Sequence, residues 1–231
     1  MKVFRKISNF IIVGLIVFVA LVGFYPQAVV PISAEQTSPI YKGNKNKNKV
    51  SLMFNVYENT SIVAEIVKVL KNNNATATFF VGGCWADDNK ETLISILENG
   101  NELGNHGYFH KDHKKLSEKA NLEEINCCHE VVKALCGYEM KLFAPPSGSY
   151  SLTTLKCAEK LGYTTIMWTR DTIDWRDLDT NVLYNRAIKN LSNGDLILMH
   201  PKQSTLAILD KVLKYIADNN MQAVTVSQCL S

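Results

Sequence analysis

The stretch that decides the fold covers residues 50–82 and reads VSLMFNVYENTSIVAEIVKVLKNNNATATFFVG. Its two ends are short runs rich in β-branched and aromatic residues, which favour β-strands. Between them Ile62, Ile66 and Leu70 recur at the spacing that places side chains on one helix face, and a run of asparagines follows. The stretch therefore predicts a strand, a helix over residues 60–72 and a second strand.

The same alternation of short apolar runs and amphipathic stretches continues to the end of the chain. It predicts strands at 50–56, 76–82, 102–105, 141–144, 163–168, 195–199 and 222–226. It predicts helices at 60–72, 88–99, 115–136, 152–161, 180–191 and 204–219. Seven strands with a helix between most neighbours predict an α/β fold, a parallel sheet closed as a (β/α) barrel of fewer than eight strands. An open doubly wound sheet is the alternative, although no glycine-rich phosphate-binding turn follows the first strand.

Residues 1–34 have the pattern of a signal segment or a membrane anchor. Three basic residues precede an unbroken apolar run over 10–25, and a positive head before an apolar core is typical of such segments. Ile32 is a poor match to the small residue that a cleavage site before Glu35 requires, which favours a retained anchor. The basic flank stays inside, so we expect the rest of the chain to be membrane-anchored facing outward, or secreted.

Residues 35–49 are predicted to be a polar basic linker, and residues 50–231 a single domain. The linker contains the sequence GNKNKNK. All 22 acidic residues follow the N-terminal segment, which holds three of the 25 basic residues, so the remaining chain carries balanced charge. This balance argues against a nucleic-acid partner. We expect a monomer that contacts the membrane through its N-terminus.

Polar, turn-forming and aromatic residues follow the predicted strands, where parallel barrels build their chemistry. The predicted helices carry ordinary exposed charge instead. The sequence therefore predicts one site at the carboxyl end of the sheet. In chain order its candidates are Asn55 and Glu58; Cys84, Trp85 and Asp87; His106 and His110; Pro145, Pro146, Ser147 and Gly148; Asp171, Asp174 and Trp175; and His200 and Pro201.

His106 and His110 are the candidate metal ligands. Neutral imidazoles four residues apart can face the same way in a helical turn, and such a pair suits a zinc-type divalent cation. A site of this kind usually has a third protein ligand, so the alternative is one loop-capping histidine and one surface histidine. His113 is flanked by lysines and is predicted to be solvent-exposed.

Five sequence blocks resemble, in order and spacing, those of the polysaccharide deacetylase family. The family consists of metal-dependent enzymes that remove N-acetyl groups from chitin- or peptidoglycan-type sugars. The resemblance covers Lys49 to about Ser227, and it implies a distorted (β/α) barrel, a divalent metal, and a catalytic acid at His200. The blocks are ATATFFVGG (75–83), ELGNHGYFH (102–110), FAPPSGSY (143–150), DTIDW (171–175) and GDLILMHP (194–201).

The first block of the family pattern is altered in this chain. In the family the first strand ends in Thr-Phe-Asp-Asp-Gly, where one Asp is the general base and the next is a metal ligand. Here Asn55 and Val56 stand at those two positions, and Ala144 replaces the Arg that positions the base. The pattern resembles a divergent, sporulation-linked branch of the family. Because an Asn side chain cannot take a proton near neutral pH, the lost base should cost about 10²–10⁴-fold in rate.

The remaining candidates are assigned roles from their chemistry. Four carboxylates could substitute for the missing base, namely Glu58, Asp87, Asp171 and Asp174. Asp171 is favoured, since its usual Arg partner is absent; capping of its own loop is the alternative. Aromatic rings can stack on sugars, whereas paired prolines fix a rigid loop wall. The candidate catalytic residues are therefore His200, Asp171 and Asn55, and the candidate substrate-binding residues are Pro145, Pro146, Trp175, Trp85 and Tyr108. Trp168, inside a predicted strand, is assigned to packing.

Two functions remain open from the sequence. The first is a metal-dependent hydrolase that removes N-acetyl groups from cell-wall or spore glycans. The second is a catalytically impaired deacetylase fold that binds glycan through its aromatic rim. Retention of the histidine pair and of His200 favours the hydrolase, whereas loss of both Asp positions favours the binding protein.

Overall fold

The computed structural model describes residues 38–231, which belong to a compact unit that spans Gln36–Ser231. The predicted anchor at residues 1–34 lies outside the described residues. Within the described part of the chain, no helix combines the length and apolar character that crossing a bilayer requires.

Strands and helices alternate along the chain, as the apolar pattern predicts. The strands are β1 (Lys49–Val56), β2 (Thr78–Val81), β3 (Glu102–Asn105), β4 (Leu142–Phe143), β5 (Thr164–Thr165), β6 (Arg170–Asp171), β7 (Leu196–Met199) and β8 (Gln222–Val224). The α-helices are α1 (Thr60–Asn72), α2 (Gly83–Asp87), α3 (Lys90–Glu98), α4 (Glu118–Cys136), α5 (Leu152–Lys160), α6 (Thr180–Ile188), α7 (Gln203–Asp218) and α8 (Val226–Leu230). Two 3-10 turns occupy His113–Lys115 and Pro146–Gly148.

All of these strand pairs are parallel, and the sheet runs in the order β5-β4-β3-β2-β1-β7-β6, with β8 also paired to β1. The two edge strands, β5 and β6, follow each other directly in the chain. The sheet must therefore curl so that its two edges come near each other. The result is a curled half-barrel of parallel strands with helices. The predicted α/β fold with a parallel sheet is confirmed.

Two predicted elements differ in detail. The helix expected over 88–99 is α3, which begins two residues later at Lys90, because Asn89 is outside helical geometry and its side-chain amide donates to the Trp85 carbonyl at 2.7 Å. The short helix α2 precedes it and was not predicted. The strand expected over 163–168 is limited to Thr164–Thr165, because its partner β4 has only two residues; beyond it the Met167 amide donates to the Ile40 carbonyl at 2.8 Å. The chain then forms β6, which the sequence pattern did not indicate.

The end of the predicted linker is part of the folded domain. Ile40 forms a parallel bridge with Ile166, beside the edge strand β5. Lys42 pairs with Asp195 at 2.9 Å, just before β7. Residues 40–49 therefore contact the barrel wall, and the domain begins before residue 50.

The core has two layers, separated by the sheet. Side chains alternate between the faces of a strand, so Met53 packs inside the barrel with Phe80, whereas Phe54 and Val56 pack outside, in the cluster that contains the helices. Asn55 follows the same alternation and belongs to the inner face. The alternation thus directs Asn55 toward the barrel mouth and Val56 away from it.

Candidate active site

A cavity of about 520 Å³ opens at the carboxyl end of the strands. Six of the residues predicted from the sequence as catalytic, metal-binding or sugar-contacting line it together: Asn55, His106, His110, Asp171, Trp175 and His200. The wall also contains Tyr57, Trp168, Leu198 and Lys202, none of which was assigned a role in the site from the sequence. The cavity lies where the parallel strands converge.

His106 follows β3 directly and is held by the two neighbouring strands, through the last residue of β2 and the residue after β4. Its backbone amide donates to the Val81 carbonyl at 3.0 Å, and its Nδ1 lies 2.7 Å from the Ala144 carbonyl. Nδ1 must carry the proton to donate to that carbonyl, which leaves the Nε2 lone pair free. Burial, and secondly the neighbouring His110, lowers the pKa of His106 to about 3, so the imidazole is neutral.

His110 lies at the open side of the cavity. The centroids of its ring and the His106 ring are 5.2 Å apart. Its φ of 54° is in the left-handed region, which turns the ring back toward the cavity. Desolvation lowers the pKa of His110 as well. Both histidines are therefore biased toward the neutral form that ligates metals.

The loop between the two histidines is fixed by side chains from outside it. The Gly107 amide donates to Asn105 Oδ1 at 2.9 Å. The amides of Tyr108 and Phe109 both donate to Glu124 Oε2, at 3.1 Å and 2.8 Å. Glu124 is buried on α4, so consecutive loop amides find acceptors and the loop has one preferred conformation.

The prediction that His113 is exposed is wrong. His113 is fully buried, with Nδ1 2.8 Å from Asn121 Oδ1 and its ring against Phe143. Its lysine neighbours, Lys114 and Lys115, are exposed. A 3-10 turn can direct one residue inward while its neighbours face solvent, so the flanking lysines were a misleading signal. Burial lowers the pKa of His113.

His200 is oriented by Asp174. The His200 Nδ1–H donates to Asp174 Oδ1 at 2.7 Å, and the His200 backbone amide donates to Oδ2 at 2.7 Å. The Thr205 hydroxyl donates to the same Oδ2 at 2.5 Å. The Asp174 side chain is fully buried, so Asp174 is occupied in fixing the imidazole and is not a free substitute carboxylate. Nε2 of His200 remains available to the cavity.

Asp171 lies in the cavity wall with one oxygen occupied. Its Oδ1 accepts a hydrogen bond from the Ile173 amide at 2.8 Å, which is the loop-capping role that the sequence left open. Because Asp171 also lines the cavity, capping does not remove it from the site.

The two missing carboxylates are replaced in different ways. Asn55 is 6% exposed, and among residues 38–231 no hydrogen-bond partner reaches its Oδ1. Val56 is fully buried in the outer core layer and does not line the cavity. Beyond them, the Tyr57 ring lies over Gly82 and 5.1 Å from the His110 ring. The Asn55 carboxamide and the Tyr57 ring therefore line the same cavity wall as His106 and His110.

The donor set at this point fits a divalent cation through two neutral imidazoles, those of His106 and His110. Asn55 Oδ1 is a buried acceptor with an unmet hydrogen bond in the same cavity wall. Among residues 38–231, no group of three or more His, Cys, Asp or Glu side chains is arranged to hold a metal.

Trp175 lies at the rim of the cavity, and Trp168 lies within its wall. Trp175 is 57% exposed, which leaves a large apolar face open. Trp168, assigned to packing from the sequence, lines the cavity and contacts Gly148. These two indoles, with the Tyr57 ring, are the aromatic surfaces among residues 38–231 that a ligand in the cavity would meet.

The other residues predicted to contact sugar lie outside the cavity wall. Trp85 is 6% exposed, and its Nε1 donates to Thr60 Oγ1 at 3.1 Å in the outer core. The Tyr108 hydroxyl donates to Asp87 Oδ2 at 2.5 Å, away from the cavity. Pro145 and Pro146 are buried behind Ser147, which lines the wall in their place. Position after a strand did not distinguish inward from outward side chains in these loops.

The comparisons with known proteins agree with this geometry. The polysaccharide deacetylase family profile matches residues 42–166. An uncharacterized Bacillus subtilis protein, YlxY, is 34% identical over 201 residues, 87% of this chain and 63% of that protein. The Bacillus subtilis peptidoglycan-N-acetylmuramic acid deacetylase PdaC is 33% identical over 184 residues, 79% of this chain and 39% of PdaC. The matches thus span less than two thirds of either relative.

Solved structures extend the likeness to the whole described domain. Wild-type BA3943, a CE4 family pseudoenzyme from Bacillus anthracis, superposes with a TM-score of 0.82 at 32% identity, over 84% of this chain and 69% of that chain. A BA3943 mutant with restored enzymatic activity gives a TM-score of 0.82 at 31% identity, over 84% and 72%. The chain belongs to the polysaccharide deacetylase family.

Proposed function

We propose that this domain is an impaired glycan deacetylase, which binds an N-acetylated, peptidoglycan-type glycan in its cavity and hydrolyses the acetamide slowly. The observation that carries the proposal is the pair of His200 and Asp174. A fully buried carboxylate is costly unless its hydrogen bonds are satisfied, and three donors satisfy this one while fixing a single imidazole. Such an arrangement suits a proton donor more than a structural contact.

In the proposed reaction, His200 gives a proton to the leaving amine. Asp174 fixes the tautomer by accepting from Nδ1, and it stabilises the imidazolium when Nε2 is protonated. Nε2 faces the cavity, where the acetamide nitrogen would lie. Trp175, at the rim, offers an apolar plane for the face of a sugar ring.

His106 and His110 would hold a divalent cation, which we expect to be zinc. A bound cation supplies Lewis-acid polarisation of the acetamide carbonyl. The protein contributes two neutral imidazoles, one of them fixed by the Ala144 carbonyl, in a loop that Glu124 holds in place.

The missing general base limits the rate. Asn55 cannot accept a proton from water near neutral pH, and such a loss costs about 10²–10⁴-fold. Two other carboxylates lie in the cavity wall. Glu58 is paired with Lys202, so Asp171 is the better candidate to accept the proton.

Glycan binding without hydrolysis is the second candidate function. It is favoured by the first strand, where an amide and a buried valine replace the two acidic positions of the family pattern. The similar BA3943 is described as a pseudoenzyme whose mutant regains activity. Impaired chemistry at an intact cavity is therefore compatible with this fold.

Acetate release distinguishes the two functions. We expect slow release from N-acetylglucosamine oligomers by the wild-type chain, and a further loss in His200→Ala without loss of bound metal. The double change Asn55→Asp, Ala144→Arg should raise the rate of acetate release by more than the two single changes together, because residues that act as a unit are non-additive. The family's second carboxylate is left out of this variant, since Val56 is buried in the outer core layer and does not line the cavity. No acetate from the wild type, with glycan binding that is lost in Trp175→Ala, would leave the binding function instead.

The cellular setting is proposed from the sequence. The charge pattern of residues 1–34 supports an outward-facing domain anchored in the membrane, where peptidoglycan is accessible. A role in sporulation rests on the resemblance to the divergent family branch, and a monomeric state is our expectation.

A further inference from the structure

We infer that the carboxamide oxygen of Asn55 is the third protein ligand of a cation held by His106 and His110, so that the site is built from neutral donors only. This inference rests on the proposed function for the histidine pair. It gives Asn55 a role that a failed general base would not have.

The first observation is the unmet hydrogen bond of Asn55. Buried polar side chains in native structures nearly always have partners, and each exception needs a physical reason. Asn55 is 6% exposed, and its Oδ1 has no hydrogen-bond partner among residues 38–231. A partner that binds from the cavity would supply the missing contact.

The second observation is the position of Asn55 relative to the histidines. In the sheet register Asn55 pairs with Phe80, and Phe80 pairs with Gly104, two residues before His106. The inward side chains of Asn55 and His106 therefore occupy successive layers at the mouth of the barrel. The Phe80 ring covers Gly104, where an added Cβ would lie 2.4 Å from the ring. The floor between the two layers is thus apolar.

The third observation is that the other nearby groups are occupied. Asp174 accepts three hydrogen bonds around His200. Glu58 is paired with Lys202, and Val56 is buried in the outer layer. Asp171 has one oxygen bound to its own loop, which leaves it as the competing ligand that an experiment must separate from Asn55.

A neutral ligand set has a measurable consequence. Two imidazoles and a carboxamide bring no negative charge to the cation, so affinity should rise when one carboxylate is added at the same position. An unpaired buried amide should also cost stability in the metal-free protein, because burying a polar group without a hydrogen bond is unfavourable. Replacing Asn55 by leucine, of similar size, should therefore stabilise the metal-free protein while it weakens cation binding.

The experiment uses the full-length chain, stripped of metal with a chelator, and zinc alone as the probe. Zinc affinity is measured by competition with a chromophoric chelator, and stability by thermal melting with and without zinc. We expect Asn55→Leu to lose at least the roughly 10–100-fold in affinity that even an outer-sphere change costs a metal site, and to melt higher without zinc. Asn55→Asp should bind more tightly than wild type. Asn126→Leu, the same change on the exposed face of α4, should alter neither property.

Three results would overturn the inference. Wild-type zinc affinity in Asn55→Leu would show that the amide is not a ligand. A loss in Asp171→Asn as large as that expected for Asn55→Leu would assign the third position to Asp171. No zinc binding by the wild-type chain would remove the histidine site from the proposed function as well. Intact zinc binding without acetate release would leave the ligand set standing and remove only the hydrolytic function.

Discussion

Replacing Glu124 by glutamine should loosen the loop that presents both candidate metal ligands. One carboxylate oxygen accepts from the Tyr108 and Phe109 amides, and the other lies 2.8 Å from Lys111 Nζ. Glutamine keeps the shape of the side chain but has a single acceptor oxygen. If that oxygen accepts from the Tyr108 and Phe109 amides, the new NH₂ group faces the Lys111 ammonium. If it accepts from Lys111 instead, the two amides lose their acceptor.

The size of the effect follows from these contacts. Hydrogen bonds to a charged group contribute about 1.5–3 kcal/mol each, against about 0.5–1.5 kcal/mol for neutral pairs. The ion pair adds about 1 kcal/mol or less, because the Lys111 side chain is 50% exposed. We expect Glu124→Gln to lower the free energy of unfolding by about 2–3 kcal/mol. For a domain of this size the melting temperature would fall by roughly 4–12 °C.

Thermal melting and urea unfolding measure the change in stability, and zinc competition measures the effect on the histidine pair. Lys111→Met is the matched control, since it removes the ion pair and leaves both amide contacts; it should cost about 1 kcal/mol or less. A Glu124→Gln variant that melts within about 1 °C of wild type would refute the role of the carboxylate. So would a Lys111→Met variant that is destabilised as much as Glu124→Gln.

Three further predictions concern other parts of the domain. The pKa of His106 is about 3 in the folded protein, below its unfolded value of 6.5, so its stabilising contribution is present above about pH 6.5 and falls as the pH drops toward 3. Urea unfolding of the metal-free protein should therefore show about 2 kcal/mol less stability at pH 5 than at pH 7.5 from this group. Equal stability at the two pH values would contradict the burial argument. A chain that begins at Gln36 should keep cooperative unfolding by circular dichroism, whereas one that begins at Val50 should lose it, because residues 40–49 pair with the barrel wall; a folded shorter chain would count against this. Trp85→Phe should leave glycan binding unchanged in a pull-down and Trp175→Ala should weaken it, and the reverse order would mean that the wrong tryptophan has been assigned.

The helices and inner strands were predictable because their buried residues recur at the regular spacing of a helix or a strand, which is visible in a short stretch of sequence. The helix predicted over 60–72 is α1, with the same bounds, since its apolar stripe and its ending are both local signals. The strand β5 lies inside the strand predicted over 163–168, although it is shorter, whereas the two-residue strand β6 was not predictable in this way. Two residues are too few to show alternation, and their pairing depends on partners far away in the chain.

The candidate site shows the same division. His106, His110 and His200 come together as expected, because strand ends in a parallel sheet share one edge. The roles of Glu124 and Asp174 could not be predicted from spacing, since each acts through contacts with residues 15 or more positions away. His113 was misassigned because the prediction relied on its sequence neighbours. The neighbouring lysines face solvent, whereas His113 points into the core from the same 3-10 turn.

The segment at residues 40–44 has a consequence for the order of folding. Lys42 Nζ reaches Ser192 Oγ, and Asn44 Nδ2 reaches the carbonyl of Ser231, across sequence separations of 150 and 187 residues. Contacts between residues so far apart in sequence form slowly, because a long loop must close before they contribute any stability. A chain growing on the ribosome cannot make the second contact until Ser231 has been synthesised. We therefore expect residues 40–44 to dock against the barrel wall late in folding, although they are synthesised before the strands that they contact.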